Sequence, residues 1–113
     1  MPLPDGNTVV LMNPTHPATR CRATLMEELS HVFLKHRTSQ IVMADGGINF
    51  RSYNKTQETQ AYWVGAAALL PRDMMIQAQR SGKEKNDLAV YCGLSTQLVS
   101  FRENVTGIRL RQL

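Results

Sequence analysis

Cysteine is scarce in this chain. Cys21 and Cys92 are the only two in 113 residues, and they form no C-x-x-C pair, which argues against a disulfide framework. Buried, reduced thiols in a cytosolic protein are the expectation. Long apolar runs are missing as well. No stretch of about 18 apolar residues is available to span a membrane. The opening Met1-Pro-Leu-Pro-Asp-Gly6 lacks the basic-then-apolar order of a signal peptide. There are 5 prolines and 19% charged residues, and neither repeats nor a low-complexity linker, so the chain does not read as disordered. What is present, 42% hydrophobic residues, supplies one modest core, and residues 1–113 are expected to form a single domain. The net charge of +4 has its excess late, at Arg102, Arg109 and Arg111. A solvated, solubilising surface is the expected role of those side chains, and direct nucleic-acid contact is not expected.

Patterning along the chain predicts a mixed order of elements. Thr8-Val-Val-Leu-Met12 reads as a short strand, broken by the two prolines of Asn13-Pro-Thr-His-Pro17. From about Arg20 to Lys35, Leu25, Leu29, Val32 and Phe33 recur at helical spacing, which predicts an amphipathic helix with Glu27, Glu28 and His31 opposite the apolar stripe. Gln40–Ala44 and Ile48–Ser52 flank Asp45-Gly46-Gly47, which predicts a hairpin. Lys55 to Leu70 is a second helical pattern, ended by Pro71, and its small residues Gly65, Ala66, Ala67 and Ala68 permit close approach of another element. Short helices are expected at Asp73–Gln79, Glu84–Tyr91 and Thr96–Asn104, with Gly93 as a helix stop and Ser95 as an N-cap. The order predicts an α+β class.

The chemistry concentrates on the first helix. In H-E-x-x-H, two histidines four residues apart share one helix face and bind a metal, while the Glu between them serves as general base. Here His31 and Glu28 occupy the second histidine and base positions, and Glu27 stands where the first histidine would be. Glu27 and His31 keep the i, i+4 spacing. The best third ligand is Glu58, early on the second long helix. Taken alone, Glu-Glu-x-x-His is a weak signal, because adjacent glutamates on a solvated helix face are common.

Three ordered blocks add specificity. Arg22-Ala-Thr-Leu-Met-Glu-Glu-Leu-Ser-His-Val-Phe-Leu34 resembles the R-F-T-L-A-H-E-L-G-H-x-L-L helix of the ImmA/IrrE metallo-endopeptidases. Glu58-Thr-Gln-Ala-Tyr-Trp-Val-Gly-Ala-Ala-Ala-Leu-Leu-Pro71 is similar to that family's E-x-x-A-x-x-F-A-A-x-L-L-x-P. Leu88-Ala-Val-Tyr-Cys-Gly-Leu-Ser95, with Val99 and Arg102, is similar to its closing L-A-x-x-F-x-V-S…V-x-x-R. The resemblance runs from about Val9 to the C-terminus. It implies a compact zincin-like α+β domain, with a small β-sheet and hairpin and an active-site helix packed on further helices, short on its N-terminal side relative to the family. It also implies hydrolysis of a peptide bond in a regulatory, repressor-type protein, with Glu28 as general base on metal-bound water and with His31 and Glu58 as ligands. A helix-turn-helix regulator in the cytoplasm is the implied partner.

The Glu27 substitution qualifies these expectations. Carboxylate oxygen is an accepted zinc ligand, and a Glu27–His31–Glu58 set is harder and more anionic than the usual one. One divalent metal is expected, Zn²⁺ first, with Mn²⁺ or Fe²⁺ favoured more than in a two-histidine site. The alternative is a catalytically impaired pseudo-peptidase that persists as a protein-interaction module. His16, in the loop before the helix, is a candidate extra ligand, and Tyr62 a candidate oxyanion donor, although ordinary packing is the preferred reading of Tyr62. His36 is expected to act as a partner of the helix C-terminal dipole, and Arg22 to be structural.

Overall fold

The computed structural model describes residue 10 and residues 12–38, 40–43 and 49–112. Among the described residues five helices carry the fold: α1 (Ala18–Phe33), α2 (Lys55–Leu69), α3 (Arg72–Arg80), α4 (Lys85–Cys92) and α5 (Thr96–Thr106). Between α1 and α2, β1 (Gln40–Met43) and β2 (Asn49–Ser52) pair antiparallel, with Gln40 opposite Ser52 and Met43 opposite Asn49. The Asp45-Gly46-Gly47 turn expected between them lies outside the described residues, as do Thr8, Val9 and Leu11 of the expected first strand. Val10 and Met12 are not in a strand. No helix among the described residues is long and apolar enough to cross a membrane.

The expected α+β, zincin-like class is therefore corrected to a predominantly helical one. Among the described residues the sheet is the two-stranded β1–β2 pair alone. A pair of four-residue strands is marginally stable on its own. The core is built instead from helices and the segments that follow them, with Leu70, Met75, Leu88, Leu94, Leu98, Val99, Ile108 and Leu110 at its centre.

Helix ends explain how the elements are placed. Asn54 caps α2 reciprocally: its Oδ1 accepts from Gln57 N–H at 2.9 Å, while Gln57 Oε1 accepts from Asn54 N–H at 3.1 Å, a capping box. At the other end of α2 the Leu70 carbonyl accepts from buried Arg102 Nε at 2.9 Å, so this arginine, one of the late cluster, is a packing element rather than part of a basic surface. Ser95 caps α5 by accepting from Leu98 N–H at 3.1 Å. Pro71 stands at the N-cap of α3, where its missing N–H costs nothing.

The amphipathicity of α1 is the reverse of the sequence expectation. Leu25, Leu29, Val32 and Phe33, the expected core stripe, are exposed, Phe33 to 76%. The buried residues of α1 are Ser30 and His31. The reason lies in α2, whose small-residue stretch faces α1. A Cβ on Gly65 would sit 3.2 Å from Ser30 Oγ and 3.3 Å from Met26 Cγ, so the absence of a side chain lets the two helices close at this point. Ser30 Oγ donates to the Met26 carbonyl at 2.7 Å and is thereby satisfied in the interface. A polar stripe of α1 is thus drawn against α2, and the apolar stripe is left outside. Together Met26, Leu29, Ser30, Phe33, Val64 and Ala68 line an open groove of about 310 Å³.

Candidate functional site

The α1–α2 contact brings His31 and Glu58 together. His31 lies in the last turn of α1 and is 1% exposed. Glu58 lies in the first turn of α2. His31 Nε2 and Glu58 Oε1 are 3.2 Å apart, yet Nε2 has no hydrogen-bond partner among the described residues. The two atoms are therefore close without being aligned as donor and acceptor. The contact is an ion pair only where His31 is protonated. Burial, the largest cause, holds the His31 pKa below its usual value, and the nearby His36 adds to this while Glu28 opposes it.

The other side of His31 is built by the end of α1. Lys35 adopts φ +58°. Its N–H bonds to the Val32 carbonyl at 3.1 Å, while His36 N–H bonds to the His31 carbonyl at 3.0 Å. This is a Schellman ending with lysine in the left-handed position usually held by glycine. It folds the chain back so that His36 Nδ1 lies 2.9 Å from His31 Nδ1, and His36 Nε2 lies 2.7 Å from Gln60 Oε1. The ring tautomers set which nitrogen donates along this chain of contacts, and His31 Nε2 faces Glu58 Oε1 at 3.2 Å. Tyr53 stacks on the His31 ring at 3.6 Å and 5°.

Neither His36, Gln60 nor Tyr53 was expected at the site. His36 was assigned to the helix dipole, and only the lysine in a left-handed conformation, which nothing in the sequence announces, turns it inward. Gln60 lies two residues after Glu58 on α2, a spacing that carries no motif.

The carboxylates crowd one region. Glu27 is held above its ordinary pKa first by burial, then by the charges of Glu58 and Glu28. Burial also raises Glu58, against an opposing effect of His36. Because the Glu27 pKa is higher in the folded than in the unfolded chain, its ionisation opposes folding. That penalty is present above the folded pKa and absent below the ordinary value of 4.5. Glu27→Gln is therefore expected to stabilise the protein near neutrality by on the order of 0.5 kcal/mol, after discounting for partial solvent screening. Urea midpoints near neutrality and below the ordinary value test this: the gain should vanish on acidification, and equal midpoints at neutrality would refute it.

The remaining candidates lie elsewhere. His16 stays in the Asn13–Pro17 turn, its N–H on the Asn13 carbonyl at 3.1 Å and its own carbonyl 3.7 Å from Cys21 Sγ. The Tyr62 ring packs edge-on against Phe101 at 4.7 Å, and burial, followed by the charge of Glu27, raises its hydroxyl pKa. Arg22 is structural, donating to the Gly93 carbonyl at 2.8 Å.

A catalytic divalent metal needs three protein ligands and an open position. His31 and Glu58 supply two donors. Among the described residues no group of three His, Cys, Asp or Glu side chains is arranged to hold a metal ion. The residues present do not fit the group. This overturns the expected divalent cofactor, whether Zn²⁺, Mn²⁺ or Fe²⁺, and with it the expected metal-dependent peptidase activity. Without a metal-bound water, Glu28 has no proton to take as general base in that reaction. At position 27 a carboxylate stands where the first histidine of the motif would be, and the charge of Glu58 adds to the burial that raises its pKa.

The profile described as the IrrE N-terminal-like domain matches residues 2–104. No match is found among curated proteins or among solved structures.

Proposed function

The chain belongs to the IrrE N-terminal-like domain family, and from that premise we propose that it is a catalytically impaired member, a pseudo-peptidase serving as a protein-interaction module. The observation that supports this reading is the two-donor site: His31 and Glu58 meet, but no third ligand among the described residues joins them. The exposed apolar residues of α1 also support it, since contiguous apolar surface commonly marks a contact with another protein. In this reading residues 1–113 form one module acting in the cytoplasm. Its partner is a regulatory protein, a helix-turn-helix transcription factor by the family resemblance. Glu27, Glu28, His31 and Glu58 serve as a recognition site rather than as catalytic machinery.

Restoring the lost ligand tests the reading. Glu27→His should raise zinc affinity by about tenfold or more over the wild-type chain, because imidazole replaces a repelling carboxylate and completes a set of two histidines and one glutamate. Calorimetric zinc titration measures the difference. A wild-type chain that binds one equivalent of zinc tightly, or a Glu27→His chain that binds it no better, would sink the proposal.

A further inference from the structure

The apolar stripe of α1 lies on the side of the helix turned away from the core. Leu25, Leu29 and Val32 are half-exposed and Phe33 is mostly exposed. Their spacing of three and four residues sets all four on one face. Together these side chains present roughly 300–400 Å² of apolar surface to solvent. A stable dimer buries about 800 Å² on each partner, roughly 65% of it apolar. The stripe supplies most of that apolar share. The walls of the adjoining groove, Met26, Val64 and Ala68, add to it.

We infer that a second copy of this chain covers the stripe, the two α1 helices pairing antiparallel about a two-fold axis. The stripe is self-complementary in that direction. With the axis level with Ser30 and His31, Leu29 lies opposite Val32 of the second copy. Met26 and Phe33 are seven residues apart and share one flank of the stripe. Glu28 and Lys35, the latter just past the helix end, are also seven apart and share the other flank. A two-fold axis brings like flanks together. Phe33 therefore meets Met26 of the second copy, at the mouth of the groove of about 310 Å³, and Glu28 meets its Lys35. Neither Glu28 nor Lys35 has an ion pair among the described residues, so both are available to make this one. A parallel pairing would set Glu28 beside Phe33 and lose the charge match. Buried His31 stays on the far side of α1, so the dimer goes beyond the pseudo-peptidase reading and does not depend on it.

Sedimentation velocity of the full chain, from micromolar to millimolar concentration, tests the pairing. Half-dimerisation is expected at roughly 10–100 µM, because an interface of this size sits at the weak end of specific contacts. Phe33→Glu changes an exposed side chain and leaves the core untouched, so it should keep the wild-type urea midpoint and stay monomeric throughout. Lys35→Glu faces two like-charged pairs across the axis and should weaken dimerisation about fivefold or more at low salt. Adding Glu28→Lys to Lys35→Glu restores both opposite-charge pairs and should recover the wild-type affinity. A wild-type chain that is monomeric at every concentration overturns the inference. An anilinonaphthalene sulfonate dye then separates the causes: binding means that the stripe is left open for a different protein, and no binding means that the chain covers it itself. A Phe33→Glu chain that dimerises like wild type, or a double charge swap that dimerises no better than Lys35→Glu, overturns it as well. Zinc titration bears on the pseudo-peptidase reading alone, so the two proposals fail separately.

Discussion

Replacing Glu103 by alanine is expected to remove about 3–5 kcal/mol of stability, the range for breaking a buried ion pair by deleting one partner. Glu103 lies on α5 and is almost fully buried. Its Oε1 is 3.2 Å from Lys85 Nζ on α4. Its Oε2 accepts from Leu110 N–H at 2.9 Å and from Gln112 Nε2 at 3.0 Å. One carboxylate therefore ties the start of α4, the middle of α5 and the C-terminal segment together. The same segment is held a second time by Lys85 N–H on the Arg111 carbonyl at 2.9 Å, and it places Ile108 and Leu110 in the core. Alanine leaves the buried Leu110 N–H without an acceptor and strips Lys85 of its counter-charge. Glu103→Gln keeps an acceptor oxygen for Leu110 and is expected to lose roughly half as much. Urea unfolding of both variants decides the matter. A loss below about 1 kcal/mol for Glu103→Ala would mean that the C-terminal segment is not held as described.

Little of that clamp can be read from the sequence, because Glu103 follows buried Arg102 and precedes exposed Asn104 with no spacing that separates a solvated glutamate from a buried one. Helix positions were far more legible. The expected second helix, Lys55 to Leu70, ends within one residue of α2, and Gly93 and Ser95 stop and start α4 and α5 as their backbone preferences require. Those are local properties, set by capping side chains and by glycine's tolerance of positive φ. The burial of α1 was not legible. Periodicity shows that a helix has an apolar stripe, but not that a glycine on another helix will draw the polar stripe inward. The candidate site divides along the same line. His31 and Glu58 meet as family spacing implies, whereas the inward turn of His36 depends on a lysine in a left-handed conformation. The expected hairpin strands do pair, as β1 and β2, but strand propensity does not say whether a sheet or a set of helices will form the core, and here helices do.

Gly93→Ala is expected to cost about 2–3 kcal/mol, from two separable causes. Gly93 sits at φ +68°, where an L side chain is strained by about 1–2 kcal/mol. In addition, the new Cβ would collide with the Arg22 guanidinium, which donates to the Gly93 carbonyl at 2.8 Å. Arginine is flexible enough to withdraw, but withdrawing gives up the hydrogen bond that anchors α1 to the end of α4. The two causes separate in a double-mutant cycle. In an Arg22→Ala background there is no guanidinium to displace, so Gly93→Ala should cost only the backbone strain, about 1–2 kcal/mol. Additive losses would show that Arg22 and Gly93 do not communicate. The coupling also reaches the site. Arg22 lies on the same helix as Glu27, Glu28 and His31, and its contact with Gly93 helps set where that helix rests against the rest of the fold. Gly93→Ala should therefore shift the His31 ring signals, although Gly93 makes no contact with His31, while Glu103→Ala, acting at the far end of α4, should move them less at matched stability. If the two variants perturb His31 equally, the disturbance is global loosening and the Arg22 anchor does not position the site.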